Sequence, residues 1–267
     1  MKDLTTDQLI EKGNDYFDNG EYEKAIDYYK EVLDRGEENG EVYFQLGAVY
    51  HAIGEFEDSL RYSTEALRFY PDDNRIYFNI GLANDQLDEH EKSIEYYSKA
   101  IEKEPQYGLA YFARGNTYKY LDMYKMAAED YGNAVKYGAQ YHDLWLSRAE
   151  VLRELCEYEK SLDCYVKFMD ILENTPEDEL VLSTEPHEEV IRYLIAKLYY
   201  LTGREQKAEE LLKECLEDEC SVVPEALLYL IALSERRGES IKSKEYQQLL
   251  TEEADIDSMD FFETYLA

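Results

Sequence analysis

The sequence predicts an all-α solenoid, a fold that grows by stacking helical hairpins side by side. A 34-residue period is the first sign: Tyr43 aligns with Tyr77, Phe44 with Phe78, Leu46 with Ile80, Ser59 with Ser93, Ala66 with Ala100 and Pro71 with Pro105. Gly13, Gly47, Gly81 and Gly115 share one register of that period. Within each period the apolar residues fall into two runs of helical spacing separated by a turn. Such a period belongs to folds in which each unit buries its apolar face only against its neighbours.

The elements follow in order. Thr6 or Asp7 is expected to cap the first helix, which carries Leu9, Ile10, Gly13, Tyr16 and Phe17 before Asn19-Gly20 breaks it. Tyr22, Ala25, Ile26, Tyr29 and Val32 make the stripe of a second helix, and Gly36 ends it. The second unit repeats this with Gly54 in the turn and Pro71 at the close; the third has Asp88 in the turn and Pro105 at the close. Gly115, Tyr118, Ala127, Tyr131 and Ala134 hold the register of the fourth. A fifth begins with the lone Trp145 but drifts, with Ala149, Leu152 and Phe168 at register positions.

Residues 176–188, PEDELVLSTEPHE, interrupt the period with acids and two prolines and read as a mobile spacer. Two divergent hairpins follow, each with a glycine in its turn, Gly203 and Gly238. The expected organisation is therefore five units at 6–39, 40–73, 74–107, 108–141 and 142–175 within a first domain 1–175. An acidic loop at 176–188, two units across 189–257 and a capping tail at 258–267 complete it.

The period, the hairpin unit, and the set Tyr43, Leu46-Gly47-Ala48-Val49-Tyr50, Ser59, Ala66 and Pro71 resemble the tetratricopeptide repeat. The resemblance implies a right-handed superhelix of helix-turn-helix units whose first helices line a concave groove. It implies a non-enzymatic scaffold or adaptor that holds an extended or helical segment of a partner protein. The family's clamp for chaperone C-terminal tails does not carry over: its basic positions read Ile10, Phe78 and Leu82, and only Asn14 matches.

Charge narrows the partners. Sixty acidic against 28 basic side chains give a net −32, which repels nucleic acid and anionic lipid surfaces and favours a partner with basic residues. The N-terminus has no apolar signal segment, and Ala226–Leu233, the longest apolar run, falls short of the roughly 20 residues a span needs. Four cysteines without a CxxC pair suit a reducing cytosol, so a cytoplasmic protein is expected.

Ile10, Phe44, Phe78, Phe112 and Leu146 recur one position after the aromatic residue of each first helix. Exposed rings there would form an apolar docking row; the competing expectation is that they pack on the neighbouring first helix. Asn14, Asn79 and Asn116 have amides able to hold a peptide backbone. Arg75, Lys119 and Arg153 suit a carboxylate, and Asp18, Asp85 and Glu150 a basic group. The expected partner-binding set is Asn14, Phe44, Phe78, Asn79, Asp85, Phe112, Asn116 and Lys119. The recurring tyrosines are expected to place their hydroxyls at a wet edge.

No catalytic cluster is visible. The histidines are scattered, the cysteine spacings fit no zinc motif, and Asp255–Asp260 lacks the glycine and glutamate of a calcium loop. Neither cofactor nor metal is expected. A sensory receptor for a short signalling peptide is the alternative function, although five residues ahead of the first unit leave no room for an output domain there. A subunit of an enzyme assembly is the second alternative.

Overall fold

A computed structural model of the chain describes residues 4–139, 142–176, 187–217 and 223–254. Among them are fourteen helices and no strand, grouped in two compact units, 1–140 and 141–267.

The first unit contains four hairpins: α1 (Thr6–Asp18) with α2 (Tyr22–Asp34), α3 (Gly40–Ala52) with α4 (Phe56–Leu67), α5 (Asn74–Gln86) with α6 (His90–Lys103), and α7 (Gly108–Tyr120) with α8 (Tyr124–Lys136). Each hairpin closes where a glycine meets a side chain of its second helix. A Cβ on Gly81 would stand 2.6 Å from the Tyr97 ring, and one on Gly115 2.8 Å from that of Tyr131. Only a residue without a side chain lets the two backbones approach so closely.

Successive first helices also touch, α1 on α3, α3 on α5 and α5 on α7, and no comparable contact joins successive second helices. Helices that meet neighbours of their own kind lie on the inside of a bend, so the first helices form the inner side of this unit.

The turns share one backbone device. Gly20 and Gly54 have positive φ, and Asp88, Asp122 and Cys156 take the same left-handed conformation at 57–58° in the later hairpins. The helix starts differ. Thr5, rather than Thr6 or Asp7, caps α1, because Gln8 three residues on completes a reciprocal capping box. Thr6 instead donates to Glu37 at 2.6 Å. Asn39 and Asp73 cap α3 and α5, whereas α2, α4, α6, α7 and α8 begin without a side-chain cap.

The second unit contains α9 (Leu144–Glu154), α10 (Tyr158–Asn174), α11 (Glu188–Leu201), α12 (Glu205–Glu217), α13 (Val223–Arg236) and α14 (Ser240–Ala254). The fifth hairpin thus groups with the C-terminal helices, not with the first four. Its α10 packs on α11, and Arg204 after α11 pairs with Glu159 on α10. Tyr193, Ala196, Leu212, Ala226 and Leu230 form the core across α11, α12 and α13. The tail expected at 258–267 and most of the 176–188 loop lie outside the described residues.

Candidate functional site

Phe44, Phe78 and Phe112 of the recurring apolar row stand on the inner helices of the first unit but are graded in burial, and Leu146 falls on α9 in the second unit. Phe112 is only 6% exposed, with its ring 6.0 Å from that of Tyr131. Phe44 and Phe78 are half-buried. One side of Phe44 packs on Ala66, Ile76 and Ile80 at the seam with the next hairpin. The Arg75 guanidinium lies 5.1 Å over its ring. Phe78 meets Tyr97 at 5.6 Å and, edge-on, Tyr107 at 5.3 Å. Phe112 therefore belongs to the packed interior, while Phe44 and Phe78 are only partly buried.

The three asparagines do not form one row. Asn14 and Asn116 occupy the same register position, and each accepts a hydrogen bond from a buried tyrosine of its own hairpin. Tyr29 OH reaches Asn14 Oδ1 at 2.6 Å, and Tyr131 OH reaches Asn116 Oδ1 at 2.8 Å. The tyrosines at this position, Tyr29, Tyr97, Tyr131 and Tyr165, are fully buried, so their hydroxyls are not at a wet edge. Burial raises the pKa of Tyr29, Tyr97 and Tyr165 well above the usual phenol value. Where Leu82 replaces the asparagine, the Tyr97 hydroxyl has no partner in hydrogen-bond geometry. Asn79 lies three positions earlier in the register, half-buried, and its amide bonds to nothing among the described residues.

The charged candidates are largely engaged. Asp85 Oδ1 accepts from Thr117 Oγ1 at 3.0 Å, tying α5 to α7, and lies 3.1 Å from His90 Nδ1. Arg75 donates twice to Asp73, at 3.0 and 2.6 Å. Lys119 is half-buried on α7, and Asp18 is exposed on α1. In the second unit Arg153 pairs with Glu154 at 3.1 Å.

A buried ion pair escapes a reading of the sequence. Arg114 and Asp130 stand where the preceding hairpins have Leu46 with Tyr62 and Ile80 with Tyr96. The signal was there: two register breaks sixteen residues apart, of opposite charge. Burial pushes the Asp130 carboxyl upward, and the guanidinium of Arg114 opposes it. Among the described residues no group of three or more His, Cys, Asp or Glu side chains is placed to hold a metal ion. No helix among them is long and apolar enough to cross a membrane.

With this geometry in place, the tetratricopeptide repeat family matches residues 8–72, 75–107 and 190–217. The chain is a tetratricopeptide repeat protein. No curated protein matches it in sequence. Among solved structures, the C-terminal part of a TPR repeat-containing protein from Cytophaga hutchinsonii is 10% identical with a TM-score of 0.68, over 91% of this chain and 94% of that one. YrrB, described as a TPR protein with an unusual peptide-binding site, is 19% identical with a TM-score of 0.59, over 71% and 91%. MamA is 22% identical with a TM-score of 0.56, over 60% and 94%. At these identities the likeness establishes the shared fold. The three matched segments lie in four of the hairpins seen here, α1–α2, α3–α4, α5–α6 and α11–α12.

Proposed function

We propose that this tetratricopeptide repeat protein is a non-enzymatic adaptor whose first unit holds an extended or helical segment of a partner protein. One observation carries the reading: Phe44 and Phe78, on adjacent first helices of the inner side, remain partly exposed, as does Asn79 next to Phe78 in the chain. Apolar partner side chains would seat against the two rings, and Asn79 would bond the partner backbone from both ends of its amide. Asn14 and Asn116 would contribute chiefly their N–H groups, since their oxygens already accept from Tyr29 and Tyr131. Phe112 supports the floor from within, while Asp85 and Lys119 border the site.

The net −32 favours a partner segment with lysine or arginine near its apolar anchors, disfavours nucleic acid and anionic membranes, and suits work in the cytosol. Recognition of a short signalling peptide would use the same rings and amide.

The test is fluorescence anisotropy with a library of 12-residue peptides that combine leucine or phenylalanine with two basic residues. Phe44→Ala and Phe78→Ala should each weaken the best binder about tenfold, the loss expected for part of a ring's burial, with helix content unchanged. Equal affinity in wild type and both variants would remove the site, and loss of helix content would assign the rings to the core.

A further inference from the structure

The second unit contains a cleft of about 290 Å³ between the α9–α10 turn and the C-terminal half of α11. Leu194, Leu198 and Leu201 make its apolar wall, and Leu201 remains 44% exposed. Lys197 and Arg153 bring two cations to it against one acid, Glu154, which pairs with Arg153 at 3.1 Å, and the exposed thiol of Cys156 stands at its edge. Lys197 makes no ion pair among the described residues. In a chain with net charge −32, a leucine-walled cleft whose lining carries more cations than acids suits a segment that is both apolar and acidic.

From this cleft we infer that it is a docking site for the chain's own residues 255–267, DIDSMDFFETYLA. That segment is the complement of the cleft in both respects. Its charged residues are Asp255, Asp257, Asp260 and Glu263, with no lysine or arginine, and among them stand Phe261, Phe262, Tyr265 and Leu266. Aromatic side chains give the leucine wall apolar area that it lacks, and the acids face Arg153 and Lys197.

The reach suffices. Thirteen residues span up to about 45 Å when extended. α14 packs on α13 and α13 on α11. At helix spacings of roughly 10 Å the tail has about 20 Å to cover sideways. It has about another 20 Å to cover along the helices, the length of a 14-residue helix. Being attached to the same chain, the tail meets the cleft at an effective concentration that a free peptide does not reach.

Cys156 supplies the readout. The measurement is the rate at which the neutral reagent 4,4′-dithiodipyridine attacks it in the full-length chain carrying Cys220→Ser, where Cys164 and Cys215 are buried. A tail docked nine-tenths of the time slows the attack about tenfold. Replacing Phe261, Phe262 and Tyr265 with serine should therefore raise the rate about tenfold, and a synthetic peptide of residues 255–267 should lower it again. Lys197→Glu should also raise it, and Asp257→Lys with Asp260→Lys in that background should restore protection. Equal rates in the parent and the serine variant would overturn the proposal. So would protection that grows with protein concentration, which would place a second copy's tail in the cleft.

Discussion

Arg114 Nε and Nη2 donate to the two carboxylate oxygens of Asp130 at 2.7 and 2.8 Å, and Nη1 donates to Ser98 of the preceding hairpin at 2.8 Å. The side chains are only 17% and 5% exposed, so one buried cation is shared by α6, α7 and α8. Removing one member of such a pair strands the other charge in a medium that does not solvate it. Arg114→Ala should cost about 3–5 kcal/mol, read from the urea midpoint. The double change Arg114→Leu with Asp130→Tyr restores the pairing of the second hairpin and should recover most of that loss.

The buried tyrosines divide by their partners. Tyr131→Phe removes a hydroxyl bonded to Asn116 and should cost about 1 kcal/mol. Tyr97→Phe removes a hydroxyl that makes no well-formed hydrogen bond among the described residues, with only Ser93 near it, and should cost less than Tyr131→Phe. Thermal unfolding of the two variants side by side gives the comparison. Equal losses would mean that the asparagine bond contributes nothing.

The left-handed turn residues predict a gain. Cys156 has φ of 58° where Gly20 and Gly54 serve the earlier hairpins. A β-carbon in that conformation costs roughly 1–2 kcal/mol, part of which glycine returns as unfolded-chain entropy. Cys156→Gly should therefore stabilise by about 0.5–1 kcal/mol in denaturant titration. Asp88→Gly should gain less, because aspartate tolerates the left-handed region better than cysteine.

Acid should act through His51. Burial lowers its pKa below the ordinary imidazole value of about 6.5, and its Nε2 meets no hydrogen-bond partner among the described residues. A depressed folded pKa means the unfolded chain binds the proton first. The stability His51 contributes is complete above pH 6.5 and is lost as pH falls below it toward the folded pKa. His51→Gln should flatten the decline in melting temperature between pH 6.5 and 5, and an unchanged slope would count against the assignment.

The hairpins were legible because their constraint is local and repeats: glycine beside a buried ring leaves a residue-type signature every 34 positions, as at Gly81 with Tyr97 and Gly115 with Tyr131. The site was legible only in part. Phe44, Phe78 and Phe112 look alike in one dimension, and their burial differs because the helix that covers each ring differs. Asn14 and Asn116 read as hooks for a partner because the amide is visible in the sequence while the hydroxyl that claims it lies fifteen residues away. Arg114 breaks the register of Leu46 and Ile80, and its partner Asp130 lies sixteen residues on in the next helix, so the pair is not adjacent in sequence. The fifth hairpin shares the period of the first four, yet its packing on α11 depends on contacts across a break in that period.

The uneven capping of the helices has a kinetic consequence. α1, α3 and α5 start with their first amides satisfied by Thr5, Asn39 and Asp73, whereas the second helices start with theirs unsatisfied by any side chain. In the first three hairpins, amide protons at the turn edge therefore trade with solvent before those at the edge where α1, α3 and α5 begin, whereas α7 lacks that side-chain cap. Heat or denaturant enters the stack from one rim and leaves the opposite rim as the last clasp to open.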